Sequence, residues 1–549
     1  MHACLCRILL KHAERKKIKM NHVLKQYVVD RSLKPFKKIF FENDLEKSEA
    51  LDHSKRLDVH RWSDHPEVND FVGEIYDTYF RKGNPRIQRR HIKLVLLDLF
   101  VRWSEDPALK ISFSRNHNDY YAKGFYNELY ISRLTIDVVD RLEEVGLINQ
   151  VKGFHDHDDD KECGRGPGRL ARIWATEDLI RLFKKARFSS LDAWPHKDRL
   201  TVVLNKIDPK DEKEKKKIEV SYDPTQETKQ MSEMLRKYNG LIRHTFIDIP
   251  TLESAVVNEG EGGKRKKLVI SQNGKFTRRV FNRGAFDCGG RFWGGWWQRC
   301  ERGLRPKIFM NDKPTNEIDF SGLHIVMLYA EEGIDYWAEV GTDPYKIPTP
   351  NFLDDEKHAR GVAKVLMLNL LNAKNAKSAY QAFRNRAEKG SREKALKNDE
   401  LSVVHKLLAQ KHPLIAPQFG EDAGIRLMNK DSKITEYILE TFTEQSVPVL
   451  SVHDSYIIEA GKEDMLIEAM CDGFELVMGV SIAPNKEKAM KEKSERIGDL
   501  LNALRRTLND KGSEAHQKNV SALRERCRPD QSQRYKTDWE RFQSWLKYQ

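Results

Sequence analysis

Two aspartates set in apolar, strand-like segments are the residues of this sequence best suited to chemistry. Asp319 lies within the apolar segment 316–320, and Asp454 lies at the tip of an apolar hairpin predicted over 448–458. A carboxylate among apolar neighbours is costly to bury unless a cation or a proton compensates its charge. Two aspartates on adjacent strand ends could hold two Mg²⁺ ions roughly 3.5–4 Å apart, which would activate a 3′-hydroxyl and neutralise a triphosphate. Either aspartate alone is more typical of a turn or a helix cap, so the hypothesis depends on the residues around the pair.

A basic helix is predicted between the two aspartates, over 357–369. Arg360 and Lys364 are one helical turn apart on the same face of this helix. Two cations at that spacing repel each other, so the arrangement favours a bound polyanion such as a triphosphate. The alternative is a basic helix face that contacts only water.

Closely spaced glycines and aromatic residues precede both aspartates, over 285–298. Glycine lets the backbone approach a ligand closely, Arg291 can reach a phosphate, and the aromatic rings can stack on bases. Tight packing in a protein core is the alternative interpretation.

Four short motifs resemble those of family A DNA polymerases and the related single-subunit phage-type RNA polymerases. In chain order they are Asp287-Cys288-Gly289-Gly290-Arg291 (the DxxGR pattern of the RNA polymerases), Asp319-Phe320-Ser321 (motif A), Arg360-xxx-Lys364 (motif B) and His453-Asp454-Ser455 (motif C). They occur in the order of the family and lie within about 276–460, roughly a third of the chain.

The resemblance implies a right-hand polymerase fold with an antiparallel palm sheet and fingers at about 335–420. It also implies that Asp319 and Asp454 bind two Mg²⁺ ions, for which Mn²⁺ is expected to substitute. In the same way, Arg360 and Lys364 are expected to hold the triphosphate.

The remaining motif residues are expected to contact the nucleic acid. His453 would support the primer terminus, whereas Asp287, Gly290 and Arg291 would contact template or primer. The partners that the resemblance implies are a DNA template with its primer and nucleoside triphosphates.

The sequence departs from the family pattern at four positions. Motif C of the DNA polymerases usually ends in Glu, whereas Ser455 follows the RNA polymerase form. Leu368 and Asn372 replace the aromatic residue and the Tyr expected after the motif B lysine. His324 stands five residues after the motif A aspartate, where DNA polymerases carry a bulky Glu that blocks a 2′-hydroxyl. Bulk there favours deoxynucleotides, although an imidazole can also hydrogen-bond a hydroxyl.

The sequence therefore predicts a template-directed polymerase, in the first place a DNA polymerase that adds deoxynucleotides to a 3′-hydroxyl, for a plasmid-like or other mobile element. Two alternatives stay open. One is a single-subunit RNA polymerase or primase, and the other is a non-catalytic, DNA-binding replication initiator with a decayed palm.

An earlier part of the chain resembles the winged-helix domains of plasmid replication proteins. Alternating polarity over 111–114 predicts a strand, and Ser132 can cap a helix over 134–145. A strand from 147 and a return strand over 170–175 would form the wing. The alternative is a winged helix that contacts only protein.

In a winged helix the second helix enters the major groove of DNA. The candidate DNA contacts lie off its apolar face or on the wing, and they are Arg133, Thr135, Asp137, Arg141, Arg165, Arg169 and Arg172. The His- and Asp-rich stretch 155–160 has residue types that could bind a metal. A solvated acidic loop is favoured there, because adjacent ligands on a loop rarely close a tetrahedral site.

Composition agrees with a nucleic-acid partner. The 549 residues contain 96 Lys and Arg against 83 Asp and Glu, a net charge of +13, and a basic chain suits a polyanion. The seven cysteines form no CxxC pair, which predicts a reducing compartment without a disulfide scaffold or zinc ribbon. Since no run approaches ~20 apolar residues, we expect a cytoplasmic protein without a membrane partner. The oligomeric state stays open.

The predicted fold class is α+β, with an N-terminal winged helix-turn-helix and a right-hand palm, fingers and thumb. The expected domains are a basic N-terminal arm (1–65), a winged-helix DNA-binding domain (66–187), a thumb-like and connecting region (188–275), a palm and fingers polymerase domain (276–485), and a loosely docked, basic helical tail (486–549).

Overall fold

The computed structural model of the chain describes residues 50–80, 83–121, 123–153, 169–209, 216–259, 266–493 and 495–549. The chain divides into two compact units, Met1–His53 and Ser54–Gln549. Most of the predicted arm 1–65, the stretch 155–160 and Arg165 lie outside the described residues. The described elements are helices and mostly antiparallel sheets, which confirms the α+β class. Of the described helices, none is both long and apolar enough to cross a membrane.

The first part of the second unit is a small sheet with helices. Its elements are β1 (Ser54–Arg56), β2 (Arg61–Trp62), α1 (Pro66–Tyr79), α2 (Pro85–Glu105), β3 (Lys110–Phe113), α3 (Leu134–Glu144), β4 (Ile148–Val151), β5 (Ala171–Ala175) and α4 (Glu177–Lys184). The sheet order is β1-β3-β5-β4, and β5 runs antiparallel to both β3 and β4.

The elements of this part begin and end within a few residues of the predicted positions, although the N-cap of α3 is Arg133, without a side-chain cap, and not Ser132 as expected. Gly146, with φ +78°, ends α3, and the side chain of Thr176 accepts a hydrogen bond from the N–H of Leu179 to cap α4. The predicted strand at 111–114, the helix over 134–145 and the hairpin of β4 and β5 are confirmed. Between β3 and α3, the described residues form turns and a single 3₁₀ turn, His117–Asp119.

The middle of the chain is richer in strands than expected. It contains β6 (Trp194–Pro195), β7 (Val202–Ile207), β8 (Lys217–Glu219), α5 (Gln226–Arg243), β9 (Ile247–Asp248), β10 (Val256–Glu259), β11 (Lys266–Val269), β12 (Arg278–Asn282) and β13 (Ala285–Trp293). Strands β13-β12-β7-β8 form one sheet in that order. In the described part of 188–275, α5 is the one long helix. The apolar, β-branched run at 202–204 favours a buried strand instead.

A central antiparallel sheet carries both predicted aspartates. Its strands are β14 (Phe309–Met310), β15 (Lys313–Phe320), β16 (Val449–Val452), β17 (Ser455–Glu459) and β18 (Met490–Glu492), together with β9. The order is β16-β17-β15-β14-β9, and β18 also pairs with β15. In this register Asp319 lies opposite Ser455, so the predicted strand and hairpin are both confirmed.

The helices of this part of the chain come next, and most of them share one large hydrophobic core with the sheet. They are α6 (Leu323–Glu331), α7 (Tyr336–Glu339), α8 (Glu356–Asn372), α9 (Ala376–Arg386), α10 (Arg392–Ala395), α11 (Asn398–Lys411), α12 (Gly424–Glu444), α13 (Glu463–Met478) and α14 (Lys486–Ala489). The basic helix predicted over 357–369 is confirmed as α8, which Asp355 caps by accepting a hydrogen bond from the N–H of His358.

The end of the chain is helical, with α15 (Ile497–Arg506), α16 (Glu514–Cys527) and α17 (Gln533–Leu546). The expectation of loose docking is wrong for α17. Its Tyr535 and Phe542 are fully buried, and they pack with Phe246 and Leu191. The aromatic residues of this helix therefore form a small core of their own with the preceding domains.

Candidate active site

Strand β15 and the β16–β17 hairpin bring Asp319 and Asp454 together. Ser455 pairs with Asp319 across the strands, and Asp454 precedes it in the hairpin turn. The backbone N–H of Phe320 donates a 3.4 Å hydrogen bond to the carbonyl of Asp454. Burial raises the pKa of Asp319 to about 6, and the negative charge of Asp454 adds to this shift. The two carboxylates are thus close enough to repel each other, and a bound cation would relieve that repulsion.

The oxygens of this pair suit a divalent cation. The side chain of Asp319 is 27% exposed, so its carboxylate is accessible to a ligand. Among the described residues, no group of three or more His, Cys, Asp or Glu side chains is arranged to hold a metal ion. Mg²⁺ does not require such a group, since it is commonly held by one or two carboxylates together with water and phosphate oxygens. The pair therefore fits Mg²⁺ that binds with a phosphorylated substrate.

A third carboxylate, Glu317, lies two residues before Asp319 on β15. Its buried side chain accepts hydrogen bonds from Arg305 Nε (2.9 Å), Ser455 Oγ (2.7 Å) and Lys493 Nζ (2.9 Å). Burial by itself would raise the pKa of Glu317, but these donors outweigh it and hold the pKa below its ordinary value. Neither Glu317 nor Lys493 was predicted from the sequence.

Arg291 of β13 forms an ion pair with a buried carboxylate, Asp431 of α12. Its Nε and Nη2 lie 2.9 and 2.5 Å from Asp431 Oδ2. Burial disfavours the charged form of Asp431, but Arg291 outweighs it and lowers the pKa. Sequence reasoning missed Asp431. A signal existed, because this aspartate stands at helical spacing among Leu427, Ile434 and Ile438, all of which are fully buried.

His324 lies in the first turn of α6, close to the same carboxylate. Its Nε2 is 3.9 Å from Asp431 Oδ2, and its side chain is 12% exposed. Both ring nitrogens are buried without a hydrogen-bond partner in the described part of the chain. The predicted nucleotide-binding histidine thus stands at the edge of the site with its polar atoms unsatisfied.

The other residues of the DxxGR pattern differ in exposure. Asp287 is exposed on β13. Gly290 has φ +89°, and a Cβ atom there would lie 2.6 Å from Phe281 Cε1 and 2.9 Å from Ser432 Oγ. Packing of β13 against β12 and α12 therefore requires glycine at this position.

His453 occupies the hairpin turn, with φ +60°. Its ring meets Trp293 edge to face, with 4.7 Å between the ring centroids. Burial and the positive charge of Arg291 lower the pKa of His453. Trp293 is 43% exposed, whereas Trp296 and Trp297 are fully buried. Of these three tryptophans only Trp293 is accessible to a base, whereas the other two are packed in the protein core.

Arg360 and Lys364 are exposed on one face of α8, next to a tyrosine that the sequence did not single out. The Arg360 guanidinium carbon and Lys364 Nζ lie 5.7 and 5.6 Å from the ring centroid of Tyr345. Arg360 Nε also donates a 2.7 Å hydrogen bond to Asp343. Burial raises the pKa of Tyr345, and the negative charge of Asp454 adds to the shift. Tyr345 therefore lies beside the cation pair, and its hydroxyl is sensitive to the charge of Asp454.

Helix α8 presents no aromatic side chain at the two positions where the family pattern expects one. Leu368 is half-buried. Asn372 Nδ2 donates a 2.7 Å hydrogen bond to the carbonyl of Leu368, and its amide packs so closely on Gly424 that a Cβ there would lie 2.2 Å from Oδ1. The aromatic ring beside the cation pair comes from Tyr345, in the loop before α8.

A cavity of about 800 Å³ lies between the β13-β12-β7-β8 sheet and α12. Its lining includes the basic residues Lys206, Lys217, Arg283, Arg291 and Lys374, with Trp293 at the same surface, and none of its described lining residues is acidic. Arg283 is paired with Asp422, at 2.7 Å. The cavity is therefore a basic groove that reaches Arg291 at the edge of the site.

Three of the arginines predicted to contact DNA from the winged-helix pattern differ in exposure and in partners. Arg133 is exposed. Arg141 Nε donates a 2.9 Å hydrogen bond to the carbonyl of Tyr79, and its Nη1 lies 2.6 Å from Glu144. Arg172 is 9% exposed, and its Nη1 donates a 2.7 Å hydrogen bond to the carbonyl of Leu170.

The chain matches no protein-family model and no curated protein. One solved structure to which part of it is similar is the POL domain of Pol1 from M. smegmatis, in complex with DNA primer-template and dNTP. The identity is 13% and the TM-score is 0.24, over 37% of this chain. The match spans 45% of that chain, which is less than half of its length.

Proposed function

We propose that this protein is a template-directed nucleic-acid polymerase that adds deoxynucleotides to the 3′-hydroxyl of a primer. The observation that carries the proposal is that Asp319, on β15, lies opposite Ser455, next to Asp454 in the β16–β17 turn, with an exposed cation pair on α8. In the proposed reaction the primer 3′-oxygen bonds to the α-phosphorus of the nucleotide. The bond from that phosphorus to the bridging oxygen breaks, and pyrophosphate leaves.

Each group of residues in the site would have a separate role. Asp319 and Asp454 would hold Mg²⁺, which when bound lowers the pKa of the attacking hydroxyl and offsets the charge of the triphosphate. Arg360 and Lys364 would neutralise the phosphates, a role that fits their exposure on one helix face. Tyr345 would form the wall of the nucleotide pocket between these two groups.

The nucleic acid would bind on the other side of the aspartates. His453 and the exposed Trp293 are suited to contact the primer terminus, since the two rings pack together beside Asp454. The basic groove continues from there through Arg291, and its lysines, Lys206, Lys217 and Lys374, suit the phosphates of a template strand.

We further propose that the part of the chain from β3 to β5 is a winged helix that binds DNA. The strand order β3-β5-β4 with α3 between β3 and β4 in the chain supports this proposal. Among Arg133, Arg141 and Arg172 we favour Arg133, which is exposed at the N-cap of α3, because Arg141 is engaged within the protein and Arg172 is buried.

Primer extension tests the proposed activity directly. Purified protein with a primed template should extend the primer when deoxynucleotides and Mg²⁺ are present, and EDTA should abolish extension until Mg²⁺ or Mn²⁺ is restored. Extension with ribonucleotides alone would favour the RNA polymerase or primase alternative. DNA binding without extension in any nucleotide mixture would favour the non-catalytic initiator.

His324→Ala tests sugar selection. If the imidazole blocks a 2′-hydroxyl, the variant should use ribonucleotides about tenfold better, the factor that roughly 1.4 kcal/mol of lost discrimination implies. The measurement is the ratio of kcat/KM for each deoxynucleotide to that for its ribonucleotide. The control is His117→Ala, which changes an exposed histidine in the segment between β3 and α3. An unchanged ratio would mean that another side chain contacts the sugar, for which Tyr345 is the candidate.

A further inference from the structure

We propose that Lys493 positions the carboxylate of Asp319 and that Glu317 holds Lys493 in place, so that the carboxyl-terminal segment completes the active site. This inference rests on the proposed function, in which Asp319 is a metal ligand. It concerns a residue that lies outside all four motifs.

The backbone fixes Lys493 beside the aspartate. Strand β18 pairs with the end of β15, with Lys491 opposite Asp319. The N–H of Lys493 donates a 2.8 Å hydrogen bond to the carbonyl of Glu317, and the N–H of Ser321 donates one of the same length to Ala489. Strand pairing and backbone hydrogen bonds therefore hold the backbone of Lys493 beside Asp319.

The ammonium group of Lys493 contacts two carboxylates at once. Its Nζ lies 2.9 Å from Glu317 Oε1 and 3.2 Å from Asp319 Oδ2. In the described part of the chain, no other cation lies within 4.0 Å of the Asp319 carboxylate. This contact engages Oδ2, so it sets the orientation in which the other oxygen of Asp319 meets a ligand.

Glu317 is itself held from several directions. Oε2 accepts from Arg305, and Oε1 accepts from both Ser455 and Lys493. Because both of its oxygens are engaged and its side chain is only 3% exposed, Glu317 acts on the site through Lys493. Without the lysine, Glu317, Asp319 and Asp454 would face each other with no cation between the first two, and their repulsion would move Asp319.

This role predicts opposite effects on catalysis and on cation binding. Lys493→Met removes the orienting contact, so kcat for primer extension should fall about tenfold. It also removes a positive charge next to the metal ligand, so Mn²⁺ should bind at least about threefold more tightly. If Lys493 only anchored the carboxyl-terminal segment, its replacement would not lower kcat and at the same time tighten Mn²⁺ binding.

The experiment measures kcat for primer extension and, by electron paramagnetic resonance, the Kd of Mn²⁺ on the full-length protein. Lys493→Arg should keep kcat within about threefold of the wild type, because it retains charge and donors. Lys491→Met is the matched control, since Lys491 lies two residues earlier, on β18, and is exposed. Glu317→Gln should lower kcat like Lys493→Met, and the double variant should fall no further, as expected for coupled residues.

Two results would overturn the inference, and both differ from failure of the proposed function. One is a wild type that extends primers and a Lys493→Met variant with kcat within about twofold of it. The other is Mn²⁺ affinity that is unchanged or weaker in the variant, which can be measured even if the wild type proves inactive. A wild type without extension activity would instead refute the proposed function.

Discussion

Asp319→Ala is expected to lower the rate of primer extension by at least about a thousandfold, equivalent to roughly 4 kcal/mol of transition-state stabilisation. The variant loses one of the two carboxylates that would hold Mg²⁺, and Asp454 alone cannot replace it. The aspartate lies outside the basic groove, so DNA binding should change by no more than about twofold. Extension of a labelled primer gives the rate, and fluorescence anisotropy gives the affinity for DNA.

Asp472→Ala is the control for this prediction, because Asp472 is exposed on α13, away from the paired strands. It should retain the wild-type rate. If Asp319→Ala extended primers as fast as the wild type, the two-carboxylate mechanism would be wrong. If it lost DNA binding together with activity, its effect could not be assigned to the chemical step.

Arg534→Met is expected to lower the free energy of unfolding by about 3–5 kcal/mol. Arg534 of α17 donates to both carboxylate oxygens of Asp248, at 2.7 and 2.9 Å, and Asp248 is 1% exposed. Burial raises the pKa of Asp248 even with the guanidinium present, so removal of Arg534 leaves a carboxylate in an unfavourable environment. Urea unfolding followed by tryptophan fluorescence measures the change.

Arg541→Met provides the matched comparison on the same helix. Its side chain is 44% exposed, and its Nη1 lies 3.0 Å from Asp538 Oδ1, so it should cost less than about 1 kcal/mol. Equal effects of the two substitutions would mean that the pair of Arg534 and Asp248 does not hold α17 on the protein.

Much of the local structure around the motifs could be predicted. The apolar segment at 316–320 is part of β15, the segment at 448–458 is the β16–β17 hairpin, and the basic helix is α8. Each prediction used only the alternation or the helical spacing of neighbouring residues, and that pattern directly reflects which face of an element is buried.

Exposure was harder to predict than element type. Arg172 was expected on an accessible wing, but its side chain is 9% exposed and donates a hydrogen bond to the carbonyl of Leu170. The last helix, α17, was expected to dock loosely, yet it buries two aromatic residues against Phe246. In both cases the exposure of the side chain depends on what packs against its helix or strand. The residue pattern of that helix or strand does not specify this.

The sequence by itself led to Asp319, Asp454, Arg360 and Lys364 as candidates, because the motifs that contain them follow one another in a recognisable order. Folding determined which side chains surround them. Arg291 and its partner Asp431 are 140 residues apart, and Glu317 and Lys493 are 176 apart. A charged residue at such a distance has no local signature, since its partner is set by strand pairing and helix packing that bring remote segments together.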